Sequence, residues 1–204
     1  MVKIGCCGFP VNRQRYYKSF PVVEIQKTFY SFPQLNTVEK WRNEAPVNFE
    51  FTLKASQLIT HLPSSPTYRK LGKALSEKEK RNYGFFRPSR EVFKAWERTK
   101  EIAGILKARI ILFQMPASFR PTSENKKNIK SFFSSITQSL NRCSLMLVWE
   151  PRGREWEDED IRELCEEFSL IHCVDPFNSF PVTKEVAYFR LHGSPPGDRM
   201  YYYD

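Results

Sequence analysis

At 204 residues, 41% hydrophobic and 27% charged, the chain is globular in composition, with length for one substantial core, and neither disordered nor fibrous. An odd number of cysteines, five, argues against a disulfide framework, and no apolar run approaches a membrane span. The 32 basic and 23 acidic residues leave +9, of which residues 69–109 hold 13 − 5 = +8, so nearly all the excess charge lies in one fifth of the chain. The opening Met-Val-Lys-Ile-Gly has no signal-peptide layout. A cytoplasmic chain that does not contact a membrane is therefore expected. The basic stretch reads either as a solvated helix face or as a patch facing a polyanion.

In chain order, residues 2–4 read as a first strand and residues 5–8, Gly-Cys-Cys-Gly, as the tight loop after it. Residues 13–18 are basic and aromatic, a loop or short helix. Residues 22–29 read as the second strand, with Glu24, Gln26 and Thr28 on one face, either a barrel interior near a site or an exposed edge. Asn36, with Glu39 three residues on, resembles a capping box for a helix carrying Val38 and Trp41, ended by Ala45-Pro46. Residues 48–54 form the third strand, Phe49, Phe51 and Leu53 on one face and Glu50, Thr52 and Lys54 on the other.

Leu58-Ile59-Thr60-His61 and a proline-containing loop, 62–66, lead into a basic insertion at about 66–90 with Tyr83, Phe85 and Phe86 interleaved. A long helix over 89–107 follows, its stripe Val92, Trp96, Thr99, Ala103 and Leu106. Strand four is 109–114, and the next helix carries Ile129, Phe132, Phe133, Ile136 and Leu140. Strand five, an apolar run from Leu145, stops at Glu150, Pro151 and Arg152, which delivers an acid and a base on one face at a strand's C-terminal end. A helix with the acidic first turn Glu157-Asp158-Glu159-Asp160 follows, which suits a helix N-terminus. Strand six is 169–174, ending at Asp175-Pro176. Strand seven is 186–192, with Tyr188, Arg190 and His192 on one face. Cys165 and Cys173 fall at apolar positions and read as buried thiols, and His172, inside an apolar strand, as a core histidine. This alternation specifies one α/β domain over 1–204 with a parallel sheet, closed into a barrel or wound open.

Taken together, Gly5 to Gly8, Val23-Glu24-Ile25 with Thr28-Phe29-Tyr30, Ile59-Thr60-His61, Leu112-Phe113-Gln114-Met115-Pro116, Glu150-x-Arg152 with Trp156, Asp175 and Arg190-x-His192-Gly193 resemble, in order and spacing, the uncharacterised YecE-like family, domain of unknown function seventy-two. The resemblance implies a TIM-barrel-like (β/α) fold of about seven parallel strands here, incomplete at the C-terminal end as a shortened barrel or as a fragment of a longer chain. Where that family commonly has a histidine after the arginine of Glu-x-Arg, this chain has Gly153.

In such a barrel the active site lies at the C-terminal strand ends, where Glu24, Lys54, Gln114, Glu150, Arg152, Asp175, Arg190 and His192 would converge, with His61 just beyond. On one reading the rim is a hydrolase or lyase site for an anionic or phosphorylated substrate. Glu24 or Glu150 would be base and His192 acid, with Lys54, His61, Gln114, Arg152, Asp175 and Arg190 holding the substrate. Glu24, Glu150, Asp175 and His192 also offer metal ligands, although no metal-ligand motif is present and no cofactor is specified. On a second reading Lys73, Lys78, Lys80 and Arg81 track the phosphates of a nucleic acid while Tyr83, Phe85 or Phe86 stack on bases. On a third the chain is a non-catalytic interaction module using the 62–66 loop and the insertion. The bland alternatives are a structural ion pair of Glu150 with Arg152 or Arg190, a Gln114 that serves backbone groups, and an Asp175 that sets a turn.

Overall fold

The structure, a computed structural model, describes residues 1–138 and 145–193. Leu140, assigned above to a helical stripe, lies outside them. Seven strands pair in sequence order: β1 (Gly5–Cys7), β2 (Val22–Ile25), β3 (Glu50–Lys54), β4 (Ile110–Gln114), β5 (Met146–Glu150), β6 (Ile171–Val174) and β7 (Tyr188–Phe189). Every neighbouring pair is parallel. A wound-open sheet reverses its strand order at a switch point. This one never does, which is the winding of a (β/α) barrel, open between β7 and β1 among the described residues.

The helices are α1 (Arg13–Ser19), α2 (Lys27–Tyr30), α3 (Leu35–Glu44), α4 (Gln57–Thr60), α5 (Glu77–Lys80), α6 (Arg90–Leu106), α7 (Ser123–Thr137) and α8 (Asp158–Phe168), with a 3₁₀ turn at Pro66–Lys70. Strand alternation splits the core in two. Phe51, Leu53, Ile111, Phe113, Leu147 and Trp149 face outward onto the helices. Leu112, Val148, Ile171 and Cys173 face inward, with Ile110, Met146 and Tyr188 beside them. Burial drives this arrangement, at about 25 cal/mol for each Å² of apolar surface removed from water. The caps follow the sequence: Ser89 Oγ accepts from Val92 N at 3.1 Å to start α6 and Thr122 Oγ1 from Asn125 N at 3.2 Å to start α7. Among the described residues no helix is long and apolar enough to cross a membrane.

Four expectations are corrected. Strand one is Gly5–Cys7, not 2–4, because β1 lies so close to β2 that a Cβ on Gly5 would stand 2.1 Å from the Val22 carbonyl oxygen. Strand two stops at Ile25, since the chain turns helical at Lys27 and Thr28 Oγ1 donates to Lys54 O at 2.8 Å, so Glu24, Gln26 and Thr28 share no strand face. Helix α3 starts at Leu35 with Gln34 as N-cap and no side-chain cap, which puts Asn36 inside the helix and leaves the capping box unformed. Strand seven shrinks to Tyr188–Phe189, although Arg190 N still bonds Val174 O at 3.0 Å.

Candidate functional site

The inward positions of the strands converge at the C-terminal mouth on one hydrogen-bonded chain of side chains. From β3, Lys54 Nζ donates to Gln114 Oε1 of β4 at 2.6 Å. Gln114 Nε2 donates to both oxygens of Glu150, which ends β5, at 2.9 and 2.8 Å. Arg190, just past β7, donates through Nη1 to Glu150 Oε2 at 2.9 Å and through Nη2 to Glu24 Oε1 of β2 at 3.1 Å. Tyr188 donates its hydroxyl proton to Glu24 Oε2 at 2.7 Å and so accepts from Thr52 Oγ1 at 3.1 Å. Glu24, Lys54, Gln114, Glu150 and Arg190 are all at least nine-tenths buried.

Strand β5 ends at Glu150, and across Pro151 Arg152 meets it: Arg152 Nε donates to Glu150 Oε1 at 2.8 Å. Arg152 Nη2 lies 2.6 Å from His192 Nε2, and that same nitrogen lies 3.2 Å from Glu150 Oε1. A guanidinium only donates, so a neutral His192 ring either accepts from Arg152 through Nε2 or donates to Glu150 through it, never both. Burial alone would raise the Glu150 carboxyl. The His192 hydrogen bond, the charges of Arg190 and Arg152 and the Gln114 hydrogen bond outweigh it and hold the group well below the usual carboxylate range. Glu150 is therefore an ionised anchor at neutral pH. The half-exposed member is Arg152, its side chain 38% accessible, and its Nη1 donates no hydrogen bond to the described residues.

Asp175 both sets a turn and reaches the site. Its Oδ1 accepts from Phe177 N at 3.1 Å and its Oδ2 from His192 N at 3.2 Å, which fixes the backbone that carries His192. His61 is not bonded to the chain of charges. Its Nδ1 lies 2.8 Å from Thr60 Oγ1 and its ring packs edge-on to Phe29, centroids 4.9 Å apart. Phe29 in turn lies under Lys54, with Nζ 3.7 Å from its centroid. Two residues absent from the sequence-based set belong here. Cys7 Sγ lies 3.4 Å from Arg190 Nη2 and 3.6 Å from Glu24 Oε1, and Tyr188 bridges to Glu24. Register parity is the signal that finds Cys7, because it pairs with Glu24.

The metal-ligand set is not gathered. Arg190 stands between Glu24 and Glu150, Asp175 is spent on backbone amides, and among the described residues no group of three or more such ligands forms. Two surface clefts, about 360 Å³ around Arg13 and Glu44 and about 320 Å³ beside Tyr17 and Phe49, touch none of the rim residues, so the site is defined by its chemistry.

The insertion is anchored beside the rim, with Tyr68 donating to His61 O at 2.9 Å and Lys70 Nζ 4.6 Å from the Tyr30 ring centroid. Its aromatics are not presented for stacking as expected. Phe86 is fully buried, and Phe85 packs against Phe119 with centroids 5.0 Å apart, because the chain turns inward there and burying rings is worth more than exposing them. Tyr83 is half-buried and its backbone oxygen accepts from Arg87 Nη1 at 2.7 Å. Lys73 pairs with Glu79 at 3.1 Å and Lys80 with Glu77 at 2.6 Å, while Lys78 and Arg81 are exposed.

The buried histidines make a pH prediction. His172 is a core histidine whose Nδ1 accepts from Val182 N at 3.2 Å. Burial draws His172 down to about 4 and His61, with help from the charges of Lys54 and Arg152, down to about 3, from 6.5. Both folded-state values lie below the unfolded one, so below pH 6.5 the unfolded chain takes up protons that the folded chain refuses. Stability is full above 6.5 and falls as pH drops towards 4. Urea unfolding between pH 6 and 5 is expected to show a loss of about 1.4 kcal/mol per pH unit for each histidine, and His172→Gln should remove one share of the slope.

An uninterrupted parallel strand order with charged residues gathered at the C-terminal strand ends defines a TIM-barrel-like α/β protein. More particularly, the profile of the family described as protein of unknown function DUF72 matches residues 12–204, and the chain belongs to that family. A DUF72 family protein of Enterococcus faecalis V583 superposes with a TM-score of 0.64 at 21% identity, covering 95% of this chain and 74% of that one. One of Thermotoga maritima MSB8 gives 0.60 at 19%, covering 90% and 65%. A D-tagatose 3-epimerase-like protein gives 0.51 at 12%, a likeness of fold alone. The UPF0759 protein YunF of Bacillus subtilis (strain 168) is 40% identical over 47 residues, a match that spans 23% of this chain and only 17% of that relative.

Proposed function

We propose that the barrel rim binds a small anionic or phosphorylated molecule and performs acid–base chemistry on it, as a hydrolase or lyase. Arg152 is the anion receptor and His192 the group that moves the proton. The observation that carries this reading is half-exposed Arg152 bonded to a carboxylate that is only 4% exposed, with His192 Nε2 within hydrogen-bond reach of both groups. Burying Glu24, Glu150 and Arg190 together is costly, and well-packed apolar residues would serve stability as well or better. A buried ionic scaffold that ends in an arginine whose Nη1 meets no acceptor among the described residues is what holding a ligand's anion requires. Glu150, held well below the usual carboxylate range by its cationic neighbours, orients Arg152 and is a poor proton acceptor.

Calorimetric titration with inorganic phosphate and with glycerol phosphate tests it. The parent chain is expected to release or absorb heat on binding, and Arg152→Met should weaken affinity by at least about tenfold, or about 1.4 kcal/mol. The same change should cost less than about 1 kcal/mol of stability, since the side chain is more than a third exposed. Absence of binding by the parent, or equal binding by Arg152→Met, overturns the reading.

A second reading has one observation in its favour, the anchoring of the start of the basic insertion on His61 and Tyr30 through Tyr68 and Lys70, with Lys78 and Arg81 further along it exposed. Its arm of the titration uses labelled single-stranded RNA and DNA over a salt series. Charge reversal at Lys73, Lys78, Lys80 and Arg81 removes binding if nucleic acid is the partner and leaves phosphate binding alone if it is not.

A further inference from the structure

Lys54 is an anomaly that the anion-binding reading leaves without a task. Lysine is almost never fully buried unless paired with a carboxylate. Here the residue is 6% exposed, its ammonium has the neutral Gln114 amide oxygen as hydrogen-bond partner and the Phe29 ring as neighbour, and it joins no ion pair among the described residues. Glu24 and Glu150 act on it only through space. Nothing in the packing needs a cation at this point, because the surrounding network is already closed by Arg190 between the two carboxylates.

The amine is also held precisely in place. It ends β3 on the inward face, its backbone oxygen is tied by Thr28 Oγ1 at 2.8 Å, and Gln114 fixes Nζ at 2.6 Å. Gln114 is itself fixed by Glu150, which fixes Arg152 as well. One carboxylate thus positions both an anion receptor and an amine.

From this geometry we infer that Lys54 is a nucleophilic amine that forms a Schiff base with a carbonyl group of the rim's ligand, a small 2-oxo acid whose carboxylate Arg152 receives. This rests on the reading of Arg152 as an anion receptor. Burial, and the nearby charge of Arg190, draw Lys54 down to about 8, so that an appreciable fraction of the amine is neutral close to neutral pH. The neutral Nζ lone pair attacks the carbonyl carbon. The C–N bond forms as the carbonyl π pair moves to oxygen, and both amine protons leave on that oxygen as water, which gives the imine. No oxidant, reductant or further reactant is needed.

The experiment incubates the full chain with glyoxylate or pyruvate and sodium cyanoborohydride at pH 8, which reduces any imine to a stable secondary amine, and maps the adduct by peptide mass spectrometry. Labelling is expected at Lys54 well above the surface lysines, absent in Lys54→Arg, and reduced at least about fivefold in Arg152→Met. In parallel, acylation by a small anhydride across pH 6–11 should show Lys54 reactivity rising with a midpoint near 8, while exposed lysines rise near about 10.4. Adducts confined to surface lysines, or a Lys54 profile that is flat or follows the surface lysines, overturn the inference. Unlabelled Lys54 with intact phosphate binding rejects the amine and spares the anion site. Labelled Lys54 that is indifferent to Arg152→Met does the reverse, and removes the 2-oxo acid with it.

Discussion

Glu150→Ala is expected to lower the unfolding free energy by about 3–5 kcal/mol, read as a shift of the urea midpoint at pH 7.5. The carboxylate is 4% exposed and receives Gln114, Arg152 and Arg190, with His192 Nε2 at 3.2 Å. Removing it leaves Arg190, itself 8% exposed, with Glu24 as its carboxylate partner beside the Cys7 thiol, and leaves the Gln114 amide without its acceptor. An uncompensated buried charge is what makes such deletions expensive, since the attraction lost and the desolvation kept add in the same direction. Arg190→Met is expected to cost at least as much, because Glu24 and Glu150 then face each other in the barrel without the cation between them. The double variant Glu150→Ala with Arg190→Met should lose less than the sum of the singles by about 0.5–3 kcal/mol, the coupling expected of groups in one network. Strict additivity would mean that the two residues do not meet as drawn. Against a total stability of about 5–15 kcal/mol, the single deletion alone leaves the fold marginal, so ligand binding is better probed at Arg152.

The same residues show how much of the fold a sequence carries. Strands β4 and β5 were legible because they are covered on both faces, and a continuous apolar run ending in a polar residue says where the strand stops. Strand β1 was not, because Gly5-Cys6-Cys7 has no strand propensity of its own. Its pairing is imposed by the close approach to Val22 and by Tyr16, whose hydroxyl accepts from Cys6 N at 2.6 Å and donates to Val22 O at 2.9 Å. The over-long β2 has the opposite cause. Polar alternation continues through Gln26 and Thr28, but the hydroxyl of Thr28 is spent on a neighbouring strand's carbonyl, a contact no local pattern encodes. Much of the rim could be listed from strand ends, since side-chain parity places Lys54, Gln114, Glu150 and Arg190 inward. What parity does not tell is occupancy: that Arg190 is consumed by two carboxylates while Arg152, among the described residues, keeps a donor, and that Lys54 meets an amide where a carboxylate would be ordinary.

Phe86→Ala, the second large effect, is expected to cost about 3–5 kcal/mol, the range for deleting a fully buried ring. The side chain has no exposed surface and its ring lies 5.1–5.8 Å, centroid to centroid, from those of Phe113, Phe119, Phe132 and Phe133. It thereby ties the end of the insertion to β4 and α7. The backbone bends sharply to deliver it: Gly84, Phe85 and Phe86 all take positive φ, 81°, 54° and 53°, and Gly84 N and Phe86 N donate to the carbonyls of Leu58 and Ile59, each at 2.9 Å. These amides satisfy carbonyls that the one-turn helix α4 cannot satisfy itself. A left-handed phenylalanine is unfavourable, so the packing of the ring must exceed the strain. Alanine keeps that strain and loses the ring, whereas Phe86→Leu keeps most of the buried volume and should cost about 1–2 kcal/mol. The decisive comparison sets stability beside nucleic-acid binding. If Phe86 is a core residue, Phe86→Ala shifts the urea midpoint and exposes the insertion to limited proteolysis. If instead the ring were a stacking platform, the midpoint would stay put while affinity fell by about 1–3 kcal/mol for each base lost.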